Sequence, residues 1–215
     1  MAPHPDDEIL GCGGTLLRRK AEGADLGWLI VTGVSREAGF PVKIVQQRAQ
    51  EIDKVVELMG FDHVYNLALP SAQLDRLPMS DLVEKFSKVF QEFQPIEVLL
   101  PCRSDVHTDH RLVFDATGAC VKWFRHPYVK RVLAYETISE TEFNLDSSSP
   151  FKPNFFVDVS EFLERKLEVM AVYESELGCF PFPRSIEAIR ALAILRGSAS
   201  GCMAAEAFQL LRERQ

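Results

Sequence analysis

The sequence has no paired cysteines: its five, Cys12, Cys102, Cys120, Cys179 and Cys202, are odd in number, scattered, and nowhere spaced C-x-x-C. That pattern excludes a disulfide framework and leads to the expectation of reduced thiols in a cytoplasm. No apolar run approaches the length that spans a bilayer, and no charged leader followed by an apolar stretch opens the sequence. Cations are the minority charge, 24 Lys and Arg against 31 Asp and Glu, for a net charge of −7. Without a basic stripe, neither nucleic acid nor an anionic membrane surface is an expected partner. There is no GxSxG elbow, internal repeat or low-complexity linker, so a serine hydrolase and a repeat architecture are set aside.

What is present suits one α/β domain spanning residues 1–215, at 47% hydrophobic and 26% charged. Apolar, β-rich runs at 26–32, 63–69, 96–101, 129–137 and 155–159 alternate with helical spacing at 14–22, 42–59, 79–93, 110–124, 160–174 and 184–195. The runs Leu29-Ile30-Val31 and Val98-Leu99-Leu100 fit strands covered on both faces. In 42–59, Ile44, Val45, Ala49, Ile52, Val55, Val56 and Met59 predict one apolar stripe, with Gly60 as the stop. Residues 140–153 read as a loop and 205–211 as a last strand. The expectation is a three-layer, Rossmann-like, mostly parallel sheet.

In open α/β sheets, site loops leave the C-terminal ends of buried strands. Almost nothing precedes His4, so the fold is expected to lack its first strand. Either an apolar β-branched strand lies upstream of Met1, or the loop is anchored only by the helix after it.

Three of the five histidines fall in two short segments. One is Pro3-His4-Pro5-Asp6-Asp7-Glu8, followed by Gly11-Cys12-Gly13-Gly14; the other is Asp105-Val106-His107-Thr108-Asp109-His110. Imidazole with carboxylate is the ligand chemistry of a hydrolytic zinc that keeps one position open. Pro5 restrains a turn in which His4 and one of the two aspartates can converge on an ion, and the residues alone leave open which. Asp6 or Asp7 taken singly would read as a helix N-cap. The second segment, at the end of the 96–101 strand, weakens that plain reading. The glycines are expected to permit close packing at a helix start, and Cys12 and Cys102 to be small buried residues. His63 and His126 lie outside both segments and are assigned surface or packing roles. Arg36, on a loop after a strand, and Arg48 are the candidates for holding substrate, although Arg48 could equally pair with Glu51 along its helix.

These segments resemble the LmbE-like, or PIG-L, family of zinc-dependent deacetylases, whose signatures are an HPDDE string before a glycine-rich turn and a later HxDH. Weaker similarity lies in Arg48-Ala49-Gln50-Glu51, Phe151-Lys152-Pro153-Asn154 and Ala205-Glu206-Ala207-Phe208. The resemblance implies a hydrolase that removes the N-acetyl group of an N-acetylglucosamine-type conjugate. It further implies His4, Asp7 and His110 as zinc ligands, Asp6 as general base, and a protonated His107 beside the carbonyl, oriented by Asp109. Ferrous iron tolerates the same ligand set. A same-family amidase cleaving another amide, such as a thiol conjugate, and a sugar-binding protein without turnover are the competing readings. The expected partner is a small amino sugar, and a homo-oligomer is compatible with the sequence.

Overall fold

The computed structural model describes residues 1–36 and 38–215. Strand β1 (Gly27–Gly33) pairs in parallel with β2 (His63–Pro70), and β3 (Glu97–Pro101) in parallel with β4 (Arg131–Tyr135). The last strand, β6 (Ala205–Glu213), runs antiparallel between β4 and β5 (Phe155–Asp158). The β-α alternation thus folds as a mixed sheet, parallel through its first strands and antiparallel at one side. Helices fill the intervals between strands except that from β4 to β5, which is loop, and buried apolar clusters lie among them.

Where one more central strand was expected, the sheet is parted into the orders β1-β2 and β3-β4-β6-β5. Residues 1–3 enter that gap. The Met1 amine donates to Leu99 O at 2.8 Å, and Ala2 N–H to Leu29 O at 2.8 Å. Val31 N–H and Thr32 N–H return bonds to Ala2 O and Pro3 O at 3.0 and 2.9 Å. The loop that carries His4 is therefore anchored to the sheet as well as to its helix, contrary to the second alternative. Below it, a cavity of about 860 Å³ lined by Gly27, Trp28, Leu29, Val98 and Leu99 separates the amino-terminal ends of β1 and β3.

Helix α1 (Asp7–Ala21) starts well before the expected residue 14, so the glycines lie inside it. A Cβ on Gly11 would stand 2.1 Å from the ring of Tyr135, so glycine alone lets the helix approach β4. Cys12 breaks the helical geometry (φ −149°), which frees amides of the following turn. Glu206 of β6 accepts two of them, Gly14 N–H at 2.8 Å and Thr15 N–H at 2.6 Å, and is itself held by the buried Lys166 at 2.7 Å. Both α2 (Val42–Met59) and α3 (Met79–Phe93) keep their expected bounds, and Gly60 ends α2 with φ 68°. The stripe on α2 is covered only in its second half: Val55 and Met59 are buried, while Ile44 and Ala49 are exposed. The remaining helices are α4 (Thr108–Cys120), α5 (Leu163–Met170) and α6 (Ile186–Ser200). Among the described residues, no helix is long and apolar enough to cross a membrane.

Candidate metal centre

The two histidine segments meet at the carboxyl ends of β1 and β3. His4 lies in the turn between the Ala2 bridge and α1, whereas His107 caps α4 and His110 stands in its first turn. The ring of His4 is 4.4 Å from that of His107 and 5.5 Å from that of His110, centre to centre. Two donor groups lie close enough to share a metal ion, His4–Asp7–His110 and His4–His107–Asp109.

The first group is the better cation site. Asp7 Oδ2 stands 3.2 Å from His4 Nδ1 and 3.3 Å from His110 Nε2, facing both rings. Each ring is steadied from its far side. Asp105 Oδ2 meets His110 Nδ1 at 2.8 Å, and Asp105 in turn accepts from the Thr141 hydroxyl at 2.6 Å. Asp109 Oδ2 meets His4 Nε2 at 3.3 Å. A carboxylate behind each ligating imidazole is the arrangement that fixes tautomer and ring orientation in metal sites. In the second group, Asp109 is already engaged by the amides of Ala72 (2.7 Å) and Leu74 (3.4 Å), which tie the loop after β2 to α4.

The charges fit a cation. Burial opposes protonation of His4, but Asp109 and Asp7 raise it to about 9, and Asp7 and Asp105 likewise raise His110 against burial. Burial would push Asp7 up, yet the two imidazoles hold it well below the usual carboxylate range. Asp6, which makes no capping bond with its side chain, is raised by burial and by neighbouring Asp7. Glu8 is raised by burial to about 7. Three buried acids beside one another are costly unless positive charge is present, and a divalent ion would supply it.

His107 departs from the expectation in two respects. Its Nδ1 accepts the backbone N–H of Asp109 at 3.1 Å; the Asp109 carboxylate turns to His4 instead. Burial and the two nearby imidazoles lower its pKa to about 4, so the ring is neutral at pH 7, with its proton on Nε2. The imidazolium expected from the sequence is replaced by a neutral N–H donor.

A cavity of about 230 Å³ opens over the centre and is lined by His4, Asp6, Asp7, His107 and His110. Arg48 lines it as well, but its donors are engaged: Nη1 with Pro5 O at 3.0 Å, Nε with Glu51 at 3.2 Å, and Nη2 with Ser175 and Glu176. Arg36 is exposed and is not among the lining residues. Sequence reasoning assigned no role to Glu140, Glu176 or Arg184, which close the cavity from distant segments. Asp105 was within reach, since it lies five residues before His110 in the same segment. His63 is exposed against Phe93, and His126 is buried between Ser87 and Tyr128, both outside the centre.

The chain is 26% identical to a diacetylchitobiose deacetylase of Thermococcus kodakarensis, over 98% of this chain and 81% of that one. Its fold matches that of a conserved protein from Thermus thermophilus, with a TM-score of 0.80 at 29% identity over 100% and 94% of the two chains. The fold also matches an N,N'-diacetylchitobiose deacetylase from Pyrococcus horikoshii, with a TM-score of 0.77 at 21% identity over 98% and 82%. The PIG-L signature, described as GlcNAc-PI de-N-acetylase, covers residues 1–121, which contain both histidine segments, and the chain belongs to that family.

Proposed function

We propose that this protein is a metal-dependent N-deacetylase that hydrolyses the acetamide of an N-acetylglucosamine-type sugar, with zinc as the resident ion. The observation that carries the reading is the convergence of His4, Asp7 and His110 beside Asp6, whose carboxyl is buried yet lines the cavity. His4 Nδ1, Asp7 Oδ2 and His110 Nε2 would hold the ion. When bound, it supplies Lewis-acid polarisation of a carbonyl and makes water nucleophilic near neutral pH.

The chain's own groups do the rest. Asp6 takes a proton from the attacking water as the C–O bond forms at the acetamide carbon. Neutral His107 donates from Nε2 to the oxygen on which negative charge develops. Asp6 then returns its proton to the nitrogen as the C–N bond breaks, which leaves acetate and a free amino sugar. A cation at Asp7 lowers the pKa of Asp6 and thereby counteracts the neighbouring carboxylate that raises it. The cavity lies below the ~300–1,000 Å³ usual for a drug-sized ligand, so it suits a single amino-sugar residue rather than an extended conjugate.

The test is acetate and amine release from N-acetylglucosamine, diacetylchitobiose and a conjugated acetamido sugar, with metal content measured on the same preparations. Stoichiometric acetate and amine from at least one of them, lost on chelation and restored by zinc, supports the reading. A fully loaded protein that releases neither product would sink it. Restoration by ferrous iron but not by zinc would overturn the choice of ion alone.

A further inference from the structure

The backbone of Asp6 has φ 136° and ψ −32°, a conformation that residues with a Cβ rarely adopt. Such a residue is strained and persists only where its surroundings hold it. The Pro5–Asp6 peptide unit is gripped at both of its polar ends. Its carbonyl oxygen accepts from Arg48 Nη1 at 3.0 Å, and its N–H donates to Glu8 Oε2 at 3.1 Å. Turning that plane over would return Asp6 to ordinary negative φ, but it would also point a carbonyl at the Glu8 carboxylate and an N–H at the Arg48 guanidinium. Both interactions are repulsive, so the grip selects the strained form.

Each grip is itself secured from a distant element. The hydroxyl of Tyr173, in the turn after α5, donates to Glu8 Oε1 at 2.8 Å, and Glu8 and Tyr173 are both buried. The Arg48 guanidinium lies 5.4 Å from the centre of the same Tyr173 ring and is fixed by Glu51 and Glu176. Tyr173 thus braces both halves of the grip. Nothing in the proposed chemistry requires Glu8 or Tyr173 to touch substrate.

We infer that Glu8 and Tyr173 are positioning residues that, with Arg48, hold the strained Pro5–Asp6 peptide and so keep the Asp6 carboxyl at the reacting centre. This inference rests on the reading of Asp6 as the base. The two imidazole ligands have separate anchors, in Asp105 for His110 and Asp109 for His4, and Asp7 Oδ2 accepts the backbone N–H of His4 at 2.8 Å. Loosening the grip should therefore reach the base while leaving the ion in place.

The experiment compares Tyr173→Phe, Glu8→Ala and Glu8→Gln with the parent protein. Tyr173→Phe and Glu8→Ala should lower kcat by ~10- to 100-fold, the scale of a small misplacement of a reacting group, with KM within about threefold and metal content unchanged. Glu8→Gln keeps an oxygen for the Asp6 N–H and should recover most of kcat. Hydrogen exchange at the Asp6 amide gives a readout independent of turnover: exchange should be slow in the parent and in Glu8→Gln, and at least ~10-fold faster in the other two variants. Unchanged kcat and unchanged exchange in Tyr173→Phe would overturn the inference. So would a fall in kcat that tracks loss of metal or of melting temperature in that variant. If the parent protein turns over no acetamido sugar, the deacetylase reading fails, and the Asp6 amide alone then decides the grip.

Discussion

His110 Nδ1 stands 2.8 Å from Asp105 Oδ2, with both side chains buried and the second ring nitrogen of His110 facing Asp7. The pair fixes the ring so that Nε2 is the atom available to an ion. Asp105→Asn keeps a neutral partner but removes the charge, and should weaken metal affinity by ~10- to 100-fold. Competition with a chromogenic chelator measures this directly. His110→Ala should lose the ion altogether, and full occupancy in that variant would remove His110 from the ligand set.

Asp6 and Asp7 are adjacent yet have different roles in the proposed chemistry. Asp6→Asn should retain one metal per chain while turnover drops by ~10²- to 10⁴-fold, the range of an acid–base group. Asp7→Asn should lose metal. Loss of metal from the Asp6 variant and retention in the Asp7 variant would show that the two roles are exchanged.

Gly11 lies against Tyr135, whose ring is fully buried and whose hydroxyl is bonded to Met1 O at 2.8 Å. The ring cannot retreat, so Gly11→Ala should destabilise the protein by ~1–3 kcal/mol or more through overpacking. Thermal unfolding with metal bound would show this, and an unchanged melting temperature would mean that α1 can move away from β4.

Metal binding should depend on pH between about 7 and 9. In the metal-free protein His4 is raised from 6.5 to about 9, so its stabilising contribution is complete below 6.5 and is lost as pH rises through 9. An ion needs the neutral ring and expels that proton, so affinity should grow with pH over the same interval. The increment in melting temperature on adding zinc should accordingly be larger at pH 8.5 than at pH 7. Taking the difference cancels groups that the ion does not touch, such as the Met1 amine. An increment that is flat or falling would contradict the assigned protonation.

How much of this was legible depended on the distance over which each feature is decided. The bounds of α2 and α3 and the stop at Gly60 follow from periodicity and one left-handed residue, both local properties. The start of α1 did not, because Gly11 suits a helix there only when Tyr135 of β4 lies against it. Ile44 and Ala49 carry helical spacing toward a face that stays exposed among the described residues, so their pattern overstated the buried stripe. Arg48 shows the same limit within the site. Its pairing with Glu51 was readable at three residues' separation, whereas its bond to Pro5 and its contact with Tyr173 link segments distant in sequence.

The order of residues by itself supplied the donor types, since a histidine and two aspartates next to a proline, and two histidines around an aspartate, carry their donors wherever the chain takes them. It also settled the alternation that stacks helices on a sheet, because hydrophobic period is a property of each segment alone. Which carboxylate steadies which ring, the neutrality of His107 and the strained peptide at Asp6 were decided only by folding. Those features arise from burial and from contacts between residues far apart in sequence, and both exist only once the chain has closed around the centre.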